Sequence, residues 1–502
     1  MKTKRTLRHI LFTTIALTAV ACSDNFLDVP LQGGQTPDLD PNLAPKLVTG
    51  VYNSMTQGDS WGNGDMHGFA FISVTNIISD DADKGSTGSD QLVPVGDIDN
   101  FNTTPTNKFA ETLWGGHYKG ISAANQALLA LSTSNLDPAV RRKLQGEVRF
   151  LRGYFYFNLV RMFGGVPLVL RVAADADDAN TDVFKVRVDA SVVYDSIKRD
   201  LQFAADNLPL KTIADGHATK GAAQAMLAKV YLYQKDWPKV LELTNEVISS
   251  GKYSLVDDYA ELWRQVGDNN EESIFEIQTG KFNNSNFRVD NYTVCQGPRV
   301  GGVGGWNDLG WGFNGPSANL VNAYEPGDVR KDATIIAIDN SGTHKGTVLW
   351  DGFRIPSSDS VQNLYYNYKA YTSKTLEQFP IKEDKDHPKN IRILRFADVL
   401  LMNAEAALHE GGDAATPLNL VRARAKLDPK GAVTIDDIWH ERRVELAMEH
   451  DRFWDLVRQG RAAQVMHAVG KTNFVEGKHE LLPIPNSQIL LSGNKLKQNP
   501  LY

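Results

Sequence analysis

Apolar positions recur with helical spacing in separate blocks of the chain. Residues 117–131 form the first block, 138–163 the second and 191–208 the third. The second ends at Gly164-Gly165 with Pro167 soon after, a combination that stops a helix. Within 218–250, Ala222, Met226 and Val230 recur at i, i+4 and i+8 beside Ala223, Leu227 and Tyr231, which predicts one wide apolar face. Asp236-Trp237-Pro238 interrupts that run, and Pro238 suits the first turn of a new helix. Val240, Leu243 and Val247 then make a second apolar stripe.

Two amphipathic helices joined by so short a turn, with Ala at the contact, resemble a tetratricopeptide (TPR) hairpin. A second pair is predicted at 394–409 and 414–427, divided by Gly411-Gly412-Asp413, and a further single helix at 436–460. The pairs share no fixed period, so a regular tandem solenoid is not expected. Residues 268–386 read differently: they are rich in Gly, Asn and aromatics, with short alternating stretches at 273–278 and 334–338. The segment 52–105 has the same character. The expected fold is therefore mainly α. TPR-like helical pairs at about 117–255 and 394–460 form a scaffold, and a loop-rich, short-hairpin face at about 52–105 and 268–386 is mounted on it for binding a ligand.

The N-terminus adds an address. Lys2, Lys4, Arg5 and Arg8 precede an apolar stretch at 10–20, the length of a signal-peptide core and short of the roughly 20 residues that span a bilayer. Ala19-Val20-Ala21-Cys22 follows and looks like a lipobox, although its first position is usually Leu. Residues 1–21 are expected to be a lipoprotein signal peptide, with Cys22 acylated as the new N-terminus; ordinary secretion with cleavage before Cys22 is the alternative. No later segment offers about 18 consecutive apolar residues, so lipid on Cys22 would be the only membrane attachment. The acidic tether at 23–30 resembles signals that send lipoproteins to the outside of the outer membrane.

Composition narrows the chemistry. The 53 Lys and Arg lose four with the leader, leaving 49 against 60 acids and a net charge of −11. Without a basic run, such a chain is unsuited to phosphate backbones, and nucleic acid is set aside. Cys22 and Cys295 are the only two cysteines, so neither thiolate zinc sites nor CxxC redox chemistry is available. Motifs HExxH, GxSxG and GxxxxGK are absent, and the 11 histidines show no ligand spacing. No cofactor, catalytic residue or enzymatic activity is expected; a surface glycoside hydrolase is the alternative, since spacing along the chain does not exclude a carboxylate pair brought together by the fold.

Several segments together resemble one family, the SusD/RagB nutrient-uptake lipoproteins. They are NIISDDADKGS at 76–86, RFLRGYFYFNLVRMFGGVPLVL at 149–170, GWGFNGPSANLVNAYEPGDVR at 310–330, the helices at 395–425 and 441–460, and LPIPNSQILLSGNKLKQNPLY at 482–502. Their order is the family's and they extend over essentially the whole chain, so 22–502 is taken as one SusD/RagB-like domain. The resemblance implies four TPR-like units carrying a loop-rich ligand face, and a SusC-type TonB-dependent outer-membrane transporter as partner. It also implies a nutrient as ligand, mostly an oligosaccharide and in some members a peptide.

A sugar site needs flat apolar faces for the ring and amides or carboxylates for the hydroxyls. Trp61, Trp306, Trp311, Phe313, Trp350 and Phe353 lie in Gly/Asn-rich stretches, away from helical stripes. Trp61 with Asn63, and Trp306 with Asn307, each set an indole beside a hydrogen-bonding amide and are the expected stacking positions. Trp311 is a further candidate, although its place in the family signature suits a structural role. Asp80, Asp81 and Asp83 crowd one loop. Asp81-x-Asp83-x-Gly85 resembles half of a calcium loop, but its glycine is misplaced and no Glu closes it. Asp81 and Asp83 are therefore expected to hydrogen-bond ligand or neighbouring backbone. Glu441, Glu445 and Glu449, at i, i+4 and i+8, could be mistaken for the acid/base set of a surface glycoside hydrolase. Interleaved with Arg442, Arg443 and Arg452, they suit ion pairing instead, with Arg149 and Arg152 as candidate partners.

Overall fold

In the computed structural model the described residues are 42–502, apart from 59–63, 87–91, 211–215, 283–284, 288, 290, 299–309, 342–344, 374 and 378–388. The scaffold helices are α1 (Leu43–Ser54), the short α2 (Phe69–Ile72), α3 (Val93–Asp99), α4 (Lys108–Thr133) and α5 (Pro138–Phe163). They continue with α6 (Ala190–Asn207), α7 (Lys220–Gln234), α8 (Trp237–Ser249), α9 (Phe396–His409), α10 (Ala415–Arg424), α11 (Ile435–Glu445) and α12 (Arg452–Gln459). Packing runs serially: α1 on α4, α4 on α5, α5 on α6, α6 on α7, α7 on α8, α8 on α9, and α9 on both α10 and α11. Helices paired in this way make the mainly α, TPR-like scaffold expected from the pattern.

Local chemistry explains the bounds. Asp137 caps α5 by accepting from the backbone N–H of Ala139 and Val140, Pro138 follows in the first turn, and Gly164 leaves the helix at φ 73°. Every residue of α5 from Gly146 to Phe163 is buried except Arg149. Gly120 of α4 makes room for Phe155, whose ring would lie 2.8 Å from a Cβ at that position. The first helical block starts nine residues earlier than its apolar pattern indicates, because Asn107 accepts from Phe109 N and Ala110 N and starts α4 at Lys108.

Three expectations need correction. The single helix expected at 436–460 is two, α11 and α12. Met448 and His450 between them adopt φ 64° and 76°, and Leu446, Ala447, Met448 and His450 are drawn into the core. Residue 394 belongs to a strand: β6 (Ile391–Arg395) pairs antiparallel with β2 (Ser273–Ile277), and α9 begins only at Phe396. The segment 52–105 is not mostly hairpin. It holds α2, a π-turn over Ser73–Ile77 and α3, and Phe69–Ile78 is wholly buried.

The region 268–386 does carry short antiparallel ribbons. β1 (Ala82–Gly85) pairs with β3 (Phe313–Pro316), and β4 (Ile335–Ala337) with β5 (Tyr365–Asn367). One large apolar cluster fills the helical stack. Smaller clusters lie beneath the ribbons, around Tyr366 and Ile355, around Leu320 and Met448, and around Tyr259 and Trp263.

Candidate functional site

Two loop stems are anchored on the α2–α4 end of the stack. Gly58 and Gly64 flank one of them. A Cβ on Gly58 would lie 2.6 Å from Gly64 O, and one on Gly116 of α4 would lie 2.6 Å from Asp65 O, so the stem seats directly on helical backbone. The other stem closes where Gly310 N donates to Pro298 O at 3.2 Å and Gly312 N donates to Gly297 O at 2.8 Å. Gly312 O accepts from Ser86 N at 2.5 Å and from Asn363 Nδ2 at 2.7 Å, tying that stem to β1 and to the approach to β5.

Trp311, half-buried, meets Phe69 edge-on at 6.1 Å. Phe69 in turn contacts Phe109 of α4 at 5.4 Å and Phe313 at 4.8 Å. Beneath, Gln296 Oε1 accepts from Asn314 Nδ2 at 2.7 Å and Asn367 Nδ2 at 2.8 Å, a buried amide knot that fixes the strands. Lys84 Nζ lies 5.5 Å from the Phe313 ring. Trp61, Asn63, Trp306, Asn307 and Cys22 lie outside the described residues.

The three aspartates separate sharply. Asp80 is gripped by Arg452, with Nε and Nη2 each at 2.8 Å, and by Arg443 Nη2 at 2.9 Å. Burial pushes the Asp80 carboxyl up, but Arg452 and Arg443 outweigh it and hold it below the ordinary range. Asp81 lies 2.7 Å from Arg443 Nε and is 1% exposed. Enclosed in this way, it faces Arg443 rather than solvent. Asp83 is exposed on β1, opposite Gly315.

The glutamate stripe is also consumed by arginines. Glu441 meets Arg330 at 2.6 Å and Arg422 at 2.9 Å; Glu445 meets Arg330 and Arg395 at 3.0 Å and Arg424 at 2.5 Å; Glu449 meets Arg395 at 2.7 Å and Lys369 at 2.6 Å. All of these side chains are nine-tenths or more buried. Desolvation pushes the Glu445 carboxyl up, yet Arg424, Arg395 and Arg330 together hold it far below the ordinary range. A carboxylate so heavily paired neither takes nor gives a proton near neutrality. Arg149 and Arg152 are not its partners: Arg152 binds Asp200 through Nε at 2.8 Å and Nη2 at 2.9 Å, and Arg149 approaches the same carboxylate at 3.8 Å.

Three histidines are core residues too. A carbonyl can only accept, so His67 Nδ1 donates to Met55 O at 2.9 Å, and its Nε2 is left to accept from Tyr154 OH at 2.9 Å. His450 sits between Thr75 Oγ1 at 2.8 Å and Tyr292 OH at 3.0 Å. Burial pushes His67 down to about 3, and His117 and His450 each to about 4. All three are neutral at pH 7.

This architecture matches known proteins along its length. Residues 271–502 match the SusD family profile, and residues 45–232 match one described as "Starch-binding associating with outer membrane". A solved "Laminarin binding SusD-like protein" superposes with a TM-score of 0.75 at 30% identity, covering 91% of this chain and 99% of that one. The chain belongs to the SusD family. Among curated relatives, SusD-like protein P2 of Formosa agariphila is 26% identical, with 98% of this chain and 99% of that protein covered. The "Surface glycan-binding protein A from Bacteroides thetaiotaomicron in complex with laminarihexaose" shares the SusD fold with a TM-score of 0.76 at 24% identity, covering 91% and 98% of the two chains.

Sequence reasoning missed the partners of this charge network, above all Asp80 with Arg452, 372 residues apart. One signal was available: Arg442, Arg443 and Arg452 interleave with Glu441, Glu445 and Glu449 in the sequence.

Proposed function

We propose that this SusD-family protein is a lipid-anchored binding protein at the outside of the outer membrane. It captures a neutral oligosaccharide of the laminarin type and hands it, chemically unchanged, to a SusC-type TonB-dependent transporter. The observation that carries this reading is the pair of loop stems fixed to the α2–α4 end of a rigid helical stack, with Trp311 and Phe69 between them. Trp61 with Asn63 and Trp306 with Asn307 fall in the sequence between the ends of those stems, and we propose them as stacking and hydrogen-bonding positions, with Asp83, exposed on β1, as a further one. Asp81 we assign to the scaffold. The laminarin-binding relative supports the ligand class. The pairing of the glutamate stripe supports capture without chemistry at that place: a glycosidase needs one carboxylate free to protonate and another free to attack or activate water, and these three are bound to arginine and lysine.

The test is an affinity panel. Purified protein is titrated with laminarihexaose, maltohexaose and a mixed peptide pool. Binding of the laminari-oligosaccharide, weakened at least tenfold by Trp306→Ala, is expected. Preference for peptides, or release of shorter sugars, contradicts the proposal. Cys22→Ala is expected to move the protein from the membrane to the soluble fraction with its fold intact, and retention in the membrane would contradict the anchor.

A further inference from the structure

A cleft of about 270 Å³ opens beside the ribbons, walled by Trp350 and Tyr368, floored by Trp263 and Tyr371, and edged by Arg264 and Asp332. It shares no lining residue with the loop stems. Its size falls just below the usual range of small-ligand pockets, about 300–1,000 Å³.

The cleft is built in advance of any ligand. Trp350 N donates to Tyr368 OH at 3.0 Å, and Tyr371 OH donates to Asp351 Oδ2 at 2.6 Å. The Trp263 ring rests against Lys369 Nζ at 4.3 Å and the Arg395 guanidinium at 5.3 Å, two members of the buried charge network. Lys389 Nζ donates to the carbonyls of Trp263 and Tyr371, at 2.5 and 2.8 Å. The floor is thus fixed from below by charges that cannot move without breaking ion pairs.

The rim is the opposite. The Arg264 guanidinium lies over the Trp350 ring at 4.4 Å but donates to no side chain among the described residues, and exposed Asp332 has no ion-pair partner there. Trp263 Nε1, nine-tenths buried, has no acceptor. Here Arg264 and Asp332 are held in no ion pair among the described residues, beside the partly exposed rings of Trp350 and Tyr368.

We propose that this cleft is a second saccharide site that takes one neutral pyranose unit. The C–H face of the ring lies on Tyr368, beside the Trp350 ring that Arg264 covers, while Arg264 donates to and Asp332 accepts from adjacent hydroxyls. One positive and one negative rim group give no net charge, and Asp332 would repel a uronate or sulfated sugar. The inference rests on the glycan-binding reading above and adds a second point of attachment. Asn363, bonded to the loop stem, lies five residues before Tyr368, so the two places are within roughly 17 Å along the chain. A long glucan reaches both and gains by avidity; a short one fills only one.

The experiment is calorimetric titration of full-length mature protein with laminarin and with laminarihexaose, comparing wild type with Trp350→Ala, Asp332→Asn and Arg264→Gln. Each variant is expected to weaken binding of the long glucan about tenfold, with the melting temperature unchanged for the two rim variants. Trp306→Ala is expected to leave a weak residual site that Trp350→Ala then removes. If wild type binds but the rim variants bind equally well, the second site is overturned and the capture function stands. If wild type binds no neutral glycan, both are overturned. If a sulfated or uronate oligosaccharide binds more tightly and Arg264→Gln abolishes it, the neutral assignment is overturned.

Discussion

The buried charge network and the aromatic cleft use the same residue types and touch across one indole, yet they are opposites. In the network Glu445 is shared by Arg330, Arg395 and Arg424, all nearly excluded from water. In the cleft Arg264 lies over the Trp350 ring and Asp332 is exposed, neither in an ion pair among the described residues, and Trp350 and Tyr368 stay partly exposed. The contrast is between charged side chains spent on one another and charged side chains held in no ion pair. In the network they act as fasteners joining α9, α10 and α11 to the ribbons. Such pairs add little net stability over an apolar equivalent, but losing one partner strands the others in a dry interior.

That difference can be broken most forcefully from the buried side. Glu445→Ala, which leaves three arginines short of a partner, is expected to cost about 3–5 kcal/mol in denaturant unfolding or to prevent folding. A loss below about 1 kcal/mol would mean that water enters the network. Next in size is a pH effect. The folded-state pKa of His67 lies far below its unfolded value of about 6.5, so only the unfolded chain gains a proton as pH falls from 7 to 5. Stability is therefore full above pH 6.5 and is lost below it, by about 2 kcal/mol at pH 5 for this one residue. His67→Gln is expected to remove that share of the pH dependence; an unchanged profile would show that the imidazole is protonated in the fold. Smallest is the neighbouring-aspartate test. Asp83→Asn is expected to change stability by less than about 0.5 kcal/mol, whereas Asp81→Asn, two residues away, is expected to be clearly destabilising. Equal effects would erase the distinction between them.

The same contrast shows what one sequence can and cannot disclose. Helix α5 was legible to the residue, because Asp137-Pro138 and Gly164 are local signals that act wherever the chain goes. The break between α11 and α12 was not: residues 446–451 contain neither Gly nor Pro, and the left-handed turns at Met448 and His450 are imposed by contacts with Thr75, Tyr292 and the core. The helical start of 52–105 was hidden for a related reason. Phe69–Ile78 is buried on all sides and so lacks the polar face that makes a helix periodic. Asp81 and Asp83 look alike in sequence; arginines contributed from some 360 residues away decide which one faces water. Trp350 was visible as an aromatic in a Gly-rich stretch, but its pairing with Arg264 and Tyr368 is purely tertiary.

The central claim is capture without chemistry on a pre-formed surface. It is tested most directly by incubating wild-type mature protein with laminarihexaose, measuring the heat of binding, and then separating the recovered sugar by chain length. Saturable binding with the hexasaccharide recovered intact is the predicted result. Shortened products, or no heat with any neutral glucan, would contradict it.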